Sequence, residues 1–407
     1  MAISEHRYVV KNIDLLRSWP SWPAFTLTEE EAVAKVVRSN QLFASKEVKN
    51  FESLFSKYIG TEFAIGVGNA TQGLHLALAA SQIGEGDEVI VTVCSWISTA
   101  SCILMQNAVP VFIDIESETF GVDPSKIEAA ITPKTKAIIA VHILGYPSKI
   151  DEIKAIATKY GLLLIEDASH APGAELDGKK MGTFGDLSVF SLHQRKAIST
   201  GDGGIICTNN QYLAEKIRKL RSFGDSELSY NYRMTEFSAV LGQVGLSKLD
   251  SDNLKREKCA KVLESIFADE RWIRVRMSRP NTKSVYYAVA LEINLCDRMA
   301  SKVLNHFLNL GVPMRQIFEP LNRHPHFASN PKPARGLPWN NPSYNGSMKG
   351  VDYSSLNFPI AYEYCQGRVL ELYTHPGTSN THLEVFANEL KVLYENLSSG
   401  HQREKWE

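Results

Sequence analysis

Short apolar segments alternate with stretches of helix length along the first half of the chain. Seven of these segments have the length of strands, at residues 63–67, 89–93, 111–115, 137–143, 162–166, 187–192 and 205–207. The segments between them include the helix candidates 71–81, 98–107 and 149–160. Near-continuous apolar strands separated by helices predict a largely parallel sheet that is buried on both faces. Ligands bind such sheets beyond the carboxyl ends of the strands.

The second half of the chain predicts a different arrangement. A helical stretch from Ser238 to about Phe267 is expected to link two domains, and residues 285–291 alternate like a half-exposed strand. Further helices are predicted over 299–310, ended by Gly311, and over 382–397. Residues 320–357 are rich in Pro, Asn, Gly and Ser and predict a long irregular loop on the substrate side. We predict an arm over 1–25, a large domain over 26–255 and a small C-terminal domain over 256–407.

The N-terminal arm contains the run Trp19-Pro20-Ser21-Trp22-Pro23, whose prolines exclude a helix there. Two tryptophans need a cover, which either a groove of the same chain or a partner subunit would supply. Thr28, followed by three glutamates, predicts the start of the first helix. Apolar residues at helical spacing over 48–58 predict the next.

Composition narrows the class of protein. Hydrophobic residues make up 44% of the 407-residue chain and charged residues 22%, with a net charge of −1. Such a balance predicts a globular protein without nucleic acid or membrane as a partner, and no apolar run approaches the ~20 residues needed to span a bilayer. The six cysteines are scattered without zinc-type spacing, so we expect no metal site and reduced thiols. Together with an amino terminus that lacks the pattern of a secretion signal, they predict a cytoplasmic protein.

Lys196 stands where the strand over 187–192 runs into a glycine-rich turn at 201–204. A lysine at such a hairpin tip among buried strands is placed to lose its proton and act as an amine nucleophile. Most lysines are solvated surface charges, so the position alone is a weak signal. Two other segments strengthen it. Asp167 ends an apolar strand, and the run Gly68-Asn69-Ala70-Thr71-Gln72 opens a helix as a phosphate-binding turn would.

A strand-end carboxylate, a phosphate-binding helix start and a loop lysine are together what pyridoxal 5′-phosphate requires. In this order and pattern they resemble the DegT/DnrJ/EryC1/StrS family of sugar aminotransferases, over roughly residues 20 to 390. The resemblance implies an α/β protein of aspartate-aminotransferase-like fold type I. Its large domain would contain a mostly parallel seven-stranded sheet, and its smaller C-terminal domain would be α+β.

The resemblance also implies roles for individual residues. Lys196 would bond the cofactor aldehyde and later move a proton, and Asp167 would pair with the pyridinium nitrogen. His170 would hydrogen-bond the phenolic oxygen of the cofactor, and Trp96 would stack on its ring. The plainer alternatives are a surface lysine, a helix cap at Asp167, a satisfied polar histidine and a core tryptophan.

Phosphate contacts are implied for Ala70, Thr71, Gln72 and Ser191, although Asn69-Ala70 stands where the family commonly has Ser-Gly. The run Tyr230-Asn231-Tyr232-Arg233-Met234 matches an Asn-Tyr-Arg-Met element. Its Asn231 would reach the cofactor phosphate of the neighbouring subunit, which implies a homodimer with shared active sites. Substrate contacts are expected from a set that surface charge would also explain, namely His193, Arg315, Arg323 and His324.

The implied reaction is a ping-pong transamination from glutamate to a carbonyl of an oxidised carbohydrate. Candidate acceptors are nucleotide-linked keto sugars, keto-inositols and free oxo-sugar acids such as 8-oxo-3-deoxy-octulosonate, and the Arg- and His-rich loop at 315–326 favours a smaller or acidic one. Family members with His in place of the lysine are dehydratases, so Lys196 favours transamination. Two alternatives are a non-catalytic regulatory member of the fold and a nucleotide-dependent oxidoreductase, and the absence of a G-x-G-x-x-G fingerprint weighs against the latter.

Overall fold

The structure, a computed structural model, describes residues 12–42, 45–223, 228–328 and 337–404, with side chains through residue 398. Residues 1–11 of the predicted arm and residues 329–336 of the predicted loop lie outside these ranges. Strands are numbered in chain order: β1 Phe63–Val67, β2 Glu88–Thr92, β3 Val109–Ile113, β4 Thr135–Val141, β5 Leu163–Asp167, β6 Glu175–Leu176, β7 Lys179–Lys180, β8 Leu187–Ser191, β9 Gly204–Thr208, β10 Ile273–Val275, β11 Thr282–Lys283, β12 Val289–Ile293, β13 Met314–Gln316 and β14 Val369–Leu372.

The seven predicted strands form one sheet in the order β1-β9-β8-β5-β4-β2-β3. The neighbours from β8 to β3 pair in parallel, and β9 runs antiparallel to both β8 and β1. Every residue of β2, β3 and β9 is buried, as expected for a sheet covered on both faces. The predicted fold class, a mostly parallel seven-stranded α/β sheet, is confirmed. Strands β3 and β4 begin two residues before their predicted starts at 111 and 137.

The helices cover this sheet and extend beyond it. They are α1 Leu27–Ser39, α2 Lys46–Ile59, α3 Ala70–Ala80, α4 Ser98–Met105, α5 Pro124–Ala130, α6 Ile150–Tyr160, α7 Gln211–Arg221, α8 Glu236–Ile266, α9 Asp297–Asn309, α10 Pro325–Ala328, α11 Pro359–Glu363 and α12 Asn380–Glu404. The 31-residue α8 packs on α1 and α2 and also on α12 and β10, so it joins the first half of the chain to the second.

The first helix begins at a different cap from the predicted one. Thr26, rather than Thr28, is the N-cap of α1, and its backbone N–H donates to the Glu29 carboxylate at 2.9 Å. The reciprocal contact of a capping box requires an acid three residues after the cap. Thr26 and Glu29 have that spacing and share the box.

A second, antiparallel sheet has the order β10-β12-β14-β13. Its strand β12 begins at Val289, four residues after the predicted start at 285. Tyr286 adopts a left-handed backbone conformation with φ of 47°, and the N–H of Val285 bonds to the carbonyl of Gly145 at 3.1 Å. The chain therefore bends before the strand begins and places Tyr287 over the edge of the large sheet. The predicted domain boundaries stay a prediction.

Most of the predicted loop over 320–357 is described, and it packs against the large sheet. The Tyr344 hydroxyl donates to the carboxylate of Glu88 at 2.5 Å, and the Tyr353 hydroxyl donates to the carbonyl of Pro110 at 2.5 Å. Trp339 and Tyr353 are buried. Buried aromatic residues therefore anchor this segment, whose described residues form only short helical turns. None of the helices within the described ranges has both the length and the apolar character to cross a membrane.

Candidate active site

The carboxyl ends of β1, β2, β5 and β8 meet at one edge of the large sheet. Parallel strands place whatever follows them at the same edge. There the structure brings together the start of α3 after β1, Trp96 after β2, Asp167 at the end of β5 and Lys196 after β8. Three of them, the helix start, Asp167 and Lys196, are the features from which the sequence predicted a cofactor site, and the family resemblance added Trp96.

Lys196 is held at the tip of the hairpin between β8 and β9. The hairpin closes through bonds from the Gln194 N–H to the Gly201 carbonyl at 2.8 Å and from the Thr200 N–H to the Leu192 carbonyl at 2.9 Å. The lysine side chain is partly buried, and its Nζ lies 4.9 Å from the ring centroid of Tyr287. Burial lowers the pKa of Lys196 to about 8. Lys196 is thus not the surface lysine of the plainer alternative.

Nearby charges act on the same amine in both directions. Arg315 adds to the effect of burial and lowers the pKa of Lys196 further, whereas Asp167 and Glu371 raise it. An amine that titrates near neutrality is available both as a nucleophile and as a proton carrier.

We expect the Lys196 amine of the cofactor-free protein to react with an acylating reagent with a midpoint near pH 8, because only the neutral amine reacts and its pKa is lowered to about 8. An ordinary lysine titrates near ~10.4. Peptide mass spectrometry after brief acylation over a pH series measures both kinds in one sample. Lys159, which Glu128 holds charged by raising its pKa, is the internal control. A midpoint for Lys196 as high as that of Lys159 would contradict the lowered pKa.

Asp167 is a buried carboxylate at the last position of β5. Its Oδ2 accepts a hydrogen bond from the Thr99 hydroxyl at 2.7 Å, and its Oδ1 accepts from the Ser169 N–H at 3.2 Å. A turn follows it rather than a helix, so the helix-cap alternative does not apply. Within the described part of the chain Asp167 forms no ion pair. A buried carboxylate without one is costly, and a pyridinium N–H would supply the missing partner.

His170 is buried beside Lys196, and its hydrogen bonding identifies its protonated nitrogen. Nδ1 accepts from the backbone N–H of Leu144 at 3.2 Å, so in the neutral ring the proton is on Nε2. Burial, followed by the charges of Lys196 and Arg315, lowers the pKa of His170 well below its ordinary value. The ring stacks on Tyr287 with 4.2 Å between centroids. His170 is therefore a neutral N–H donor, as a phenolate oxygen requires.

Trp96 lies outside the core, with 57% of its surface exposed. Its ring meets Phe318 edge-on at 6.4 Å, and Phe318 in turn is parallel to His170 at 6.1 Å. The alternative of a core tryptophan is therefore wrong. A large aromatic face beside the strand ends is available for stacking on a planar ligand.

The start of α3 has the features of a phosphate-binding turn. Asn69 caps the helix through its side chain, which accepts from the Gln72 N–H at 3.0 Å. Asn caps as well as Ser, so the departure from the family's Ser-Gly leaves the cap intact. The first N–H groups of the helix, at Ala70 and Thr71, have no partner within the helix itself and point to its amino-terminal side.

Other side chains surround this turn. The Thr71 hydroxyl, which could donate to a phosphate, donates instead to Ser98 Oγ at 2.7 Å, and the buried Gln72 Oε1, an acceptor, lacks a partner among the described residues. Ser191 is paired in register with Gly204. A Cβ on Gly204 would lie 2.6 Å from the carbonyl carbon of Asn69, so only glycine lets β9 pass this close. Ser191 is thereby placed beside the start of α3.

Asn231 lies near the same helix start. The carbonyl of Tyr232 accepts from the Gly68 N–H at 3.0 Å, and Arg233 forms a bridge with Val67. Asn231 itself is exposed, and its Oδ1 accepts from the Arg233 Nε at 3.0 Å. Its contact with a second subunit stays a prediction.

The four residues expected to bind substrate divide into two groups. Arg315 belongs to the site, because its charge acts on Lys196 and its guanidinium lies 4.1 Å from the ring centroid of Phe318. The other three lie at the surface and make local contacts. His193 is exposed at the hairpin tip, Arg323 lies 3.9 Å over the Tyr362 ring, and His324 Nδ1 accepts from the His326 N–H at 3.2 Å.

Arg315 has a buried partner that the sequence did not reveal. Its Nε and Nη2 donate to the two oxygens of Glu371 at 2.7 and 3.2 Å. The two residues face each other in the register of β13 and β14. Tyr373 donates to the same carboxylate at 2.7 Å. Burial raises the pKa of Glu371, against the opposing effect of Arg315.

Several functional candidates were missed from the sequence: Thr99, Tyr287, Phe318, Glu371, Tyr373 and Trp22. The sequence contained a signal for one of them, Glu371. It is a charged residue inside an apolar run, where it needs a buried partner. Within the described residues, no group of three or more His, Cys, Asp or Glu side chains is placed to hold a metal ion.

A sequence model of the DegT/DnrJ/EryC1/StrS aminotransferase family matches residues 24–348. The chain belongs to this family. It is a family of pyridoxal-phosphate-dependent aminotransferases, and the chain, which has Lys196 rather than the histidine of the dehydratases, is an aminotransferase of fold type I. The oxidoreductase and the non-catalytic alternatives are thereby set aside.

Named relatives of this DegT/DnrJ/EryC1/StrS aminotransferase act on carbohydrates and cyclitols. The chain is 33% identical to the L-glutamine:2-deoxy-scyllo-inosose aminotransferase of Streptomyces kanamyceticus, with 80% of this chain and 83% of the relative covered. It is 37% identical to the GDP-perosamine synthase of Caulobacter vibrioides, with 69% of this chain and 78% of that relative covered. The structure of an aminotransferase from Psychrobacter cryohalolentis matches with a TM-score of 0.82 and 27% identity, and the match covers 93% of this chain and 99% of that one.

The residues of this aminotransferase fit the cofactor of its family. Asp167 is a buried carboxylate without an ion pair among the described residues, and His170 offers an N–H donor. The first N–H groups of α3 are available to a phosphate, and Lys196, with its lowered pKa, is close enough to Asp167 and His170 to interact electrostatically with both. We propose that these residues hold pyridoxal phosphate in the roles that the sequence predicted.

Proposed function

We propose that the protein transfers an amino group from glutamate to a ring or side-chain carbonyl of an oxidised carbohydrate in a ping-pong reaction. The single observation that carries the proposal is the amine of Lys196, with its pKa lowered to about 8, at the same sheet edge as the buried Asp167. An electron-sink cofactor reaction needs a neutral amine and a fixed carboxylate at opposite ends of one planar ring.

Each residue contributes a distinct step. Pyridoxal phosphate, when bound, supplies the electron sink for the carbanion formed at the substrate. Lys196 would hold the cofactor through its amine and, once released by the donor, would move a proton through Nζ. Asp167 would keep the ring nitrogen protonated, and His170 would donate from its Nε2–H to the phenolic oxygen. The start of α3 and Ser191 would hold the phosphate.

The paired state of Arg315 bears on the acceptor. Its charge is already matched by Glu371 through two hydrogen bonds, so it offers little net attraction to a substrate carboxylate. This removes one of the reasons for expecting an acidic acceptor. The named relatives act on an inosose and in perosamine synthesis, which supports a cyclic ketone, either free or linked to a nucleotide. Five of the six cysteines are buried free thiols, which supports a reducing, cytoplasmic location.

Turnover assays with the purified protein test this function. Glutamate or glutamine would be combined with a keto-inositol, a nucleotide-linked 4-keto hexose or 8-oxo-3-deoxy-octulosonate, and the amine product identified by its mass. We expect an amine product, with 2-oxoglutarate formed from glutamate in equal amount, from a cyclic ketone. Amine formation only from glutamine would reject glutamate as donor. Amination of the octulosonate alone would reject the preference for a cyclic ketone.

A homodimer with shared sites is part of the proposal, with Asn231 completing the phosphate site of the other subunit. Mixing Lys196→Ala protein with Asn231→Ala protein is then expected to restore activity that each variant lacks. One of the two sites in each mixed dimer would receive both native residues, so about a quarter of native activity would return at equal, random mixing. Tagged heterodimers purified before assay provide the measurement. Absence of activity in those heterodimers would reject sharing through Asn231.

A further inference from the structure

We propose that Trp22 of the N-terminal arm is a positioning residue for Lys196 and links it to the four-stranded sheet. This inference rests on the proposed role of Lys196 as the residue that holds the cofactor. The carrying observation is a hydrogen bond of 2.9 Å from the indole Nε1 of Trp22 to the backbone carbonyl of Lys196. The two residues are 174 positions apart in the sequence.

The indole of Trp22 is held by elements outside the hairpin. The His375 ring stacks on it with 5.9 Å between centroids and 15° between planes. The guanidinium of Arg256, a residue of α8, lies 5.0 Å from the centroid of the indole ring. His375 follows β14 by three residues. The position of the N–H donor is therefore set by α8 and by the chain after β14.

Arg256 extends this connection to the other side of the site. It is buried, and its Nη1 donates to Asn253 Oδ1 at 3.2 Å. Asn253 Nδ2 donates to the Pro172 carbonyl at 3.0 Å, two residues after His170. The same helix thus supports Trp22 beneath Lys196 and the turn that carries His170.

Trp19 fixes the arm at a second point. Its Nε1 donates to the Tyr373 carbonyl at 3.2 Å, and its buried ring meets Phe386 edge-on at 6.1 Å. Tyr373 directly follows β14 and donates its hydroxyl to Glu371. The arm therefore contacts the end of β14 at Trp19 and the hairpin of Lys196 at Trp22. Both tryptophans are covered by residues of the same chain.

The choice of acceptor explains how such a restraint is compatible with catalysis. Lys196 must bond the cofactor, leave it and then move a proton. Its side chain must therefore be able to move, while its backbone stays in one position. A hydrogen bond to the main-chain carbonyl restrains the backbone and leaves Nζ free. A displacement of the chain that follows β14 would reach the lysine backbone through His375 and Trp22.

Trp22→Phe tests the proposal because it keeps a ring between His375 and Arg256 and removes the N–H donor. Trp19→Phe is the matched control, since it removes the same type of bond from the same arm but to a different carbonyl. Hydrogen exchange of the hairpin peptide over 192–203 is measured in the cofactor-free protein. We expect about fivefold faster exchange in Trp22→Phe and no change there in Trp19→Phe. Unchanged exchange in Trp22→Phe, or equal changes in both variants, would overturn the proposal.

Kinetics supply a readout that a merely structural role would not move. Trp22→Phe is expected to lower kcat about tenfold with KM nearly unchanged, whereas Trp19→Phe changes neither at a temperature where both variants are folded. Equal loss of kcat in the two variants would reject a specific effect on Lys196. If Trp22→Phe does not fold, the indole N–H of the native protein replaces it. Its exchange should be slower than that of the exposed Trp96, and equal rates would overturn the proposal.

Failure of this inference is distinguishable from failure of the proposed function. Lys196→Ala keeps the carbonyl that Trp22 contacts, so its hairpin should remain protected while cofactor attachment is lost. If Lys196→Ala instead retains turnover, the function assigned to the lysine is wrong whatever the exchange result. If it loses turnover and Trp22→Phe leaves the hairpin unchanged, only the role of Trp22 is wrong.

Discussion

Replacing Lys196 with alanine is expected to leave a folded protein that no longer binds pyridoxal phosphate covalently and whose turnover falls at least about 10⁴-fold. In the proposed reaction the amine would both bond the cofactor and move the proton, so its removal would take away two steps. The measurements are the visible absorbance of the protein with pyridoxal phosphate and the rate of amine transfer. Circular dichroism confirms that the variant is folded.

The same substitution has a characteristic effect on stability. The folded-state pKa of Lys196 is lowered from its ordinary value of 10.5 to about 8, so below pH 8 the burial of the charged amine opposes folding. This opposition fades as the pH rises from about 8 toward 10.5. The free energy of unfolding of cofactor-free Lys196→Ala at pH 7 is therefore not expected to fall through loss of this charge. The control Lys159→Ala removes an exposed lysine paired with Glu128 and should keep the absorbance band and turnover. A visible band that persists in Lys196→Ala would contradict the assignment.

Replacing Asp167 with asparagine is expected to preserve cofactor binding and lower turnover by about 10²- to 10³-fold. The amide is nearly the same size and can still accept from Thr99, but it carries no charge to hold the ring nitrogen protonated. Single-turnover rates with the amino donor measure the loss. Near-native rates would reject the electrostatic role.

The neighbouring residue provides a matched control for this prediction. Glu166 is also a buried carboxylate on β5, but it accepts from the N–H groups of Gly182, Phe184 and Gly185 instead. Glu166→Gln is expected to cost about 1–3 kcal/mol of stability without a comparable loss of rate in the folded enzyme. Asp167→Asn should also shift the acylation midpoint of Lys196 below pH 8, because the Asp167 charge raises the pKa of Lys196.

The sequence was sufficient for the large sheet because its strands are buried on both faces. Burial of this kind produces runs of apolar residues that stand out from the helices between them, and parallel pairing places their carboxyl ends at one edge. Lys196, Asp167, Trp96 and the start of α3 were therefore predicted to lie together. Their roles on the cofactor stay predictions that the two substitutions test.

The residues that surround Lys196 were not predictable in the same way. Tyr287 reaches the amine because the chain bends at Tyr286, and Glu371 meets Arg315 through the register of two short strands. Such contacts depend on the relative placement of elements far apart in sequence, which local periodicity does not encode. Trp22 is a similar case. The prolines on either side of it exclude a helix, but they do not reveal that its indole N–H donates to the Lys196 carbonyl.

The most direct test of the account is an absorbance titration of the purified protein with pyridoxal phosphate, followed by glutamate. The expected result is a visible band that saturates at one cofactor per chain and that glutamate converts to the shorter-wavelength band of pyridoxamine phosphate. Addition of the acceptor ketone should then restore the first band. A band that glutamate leaves unchanged would contradict glutamate as the donor, and the absence of any band would contradict Lys196 as the residue that holds the cofactor.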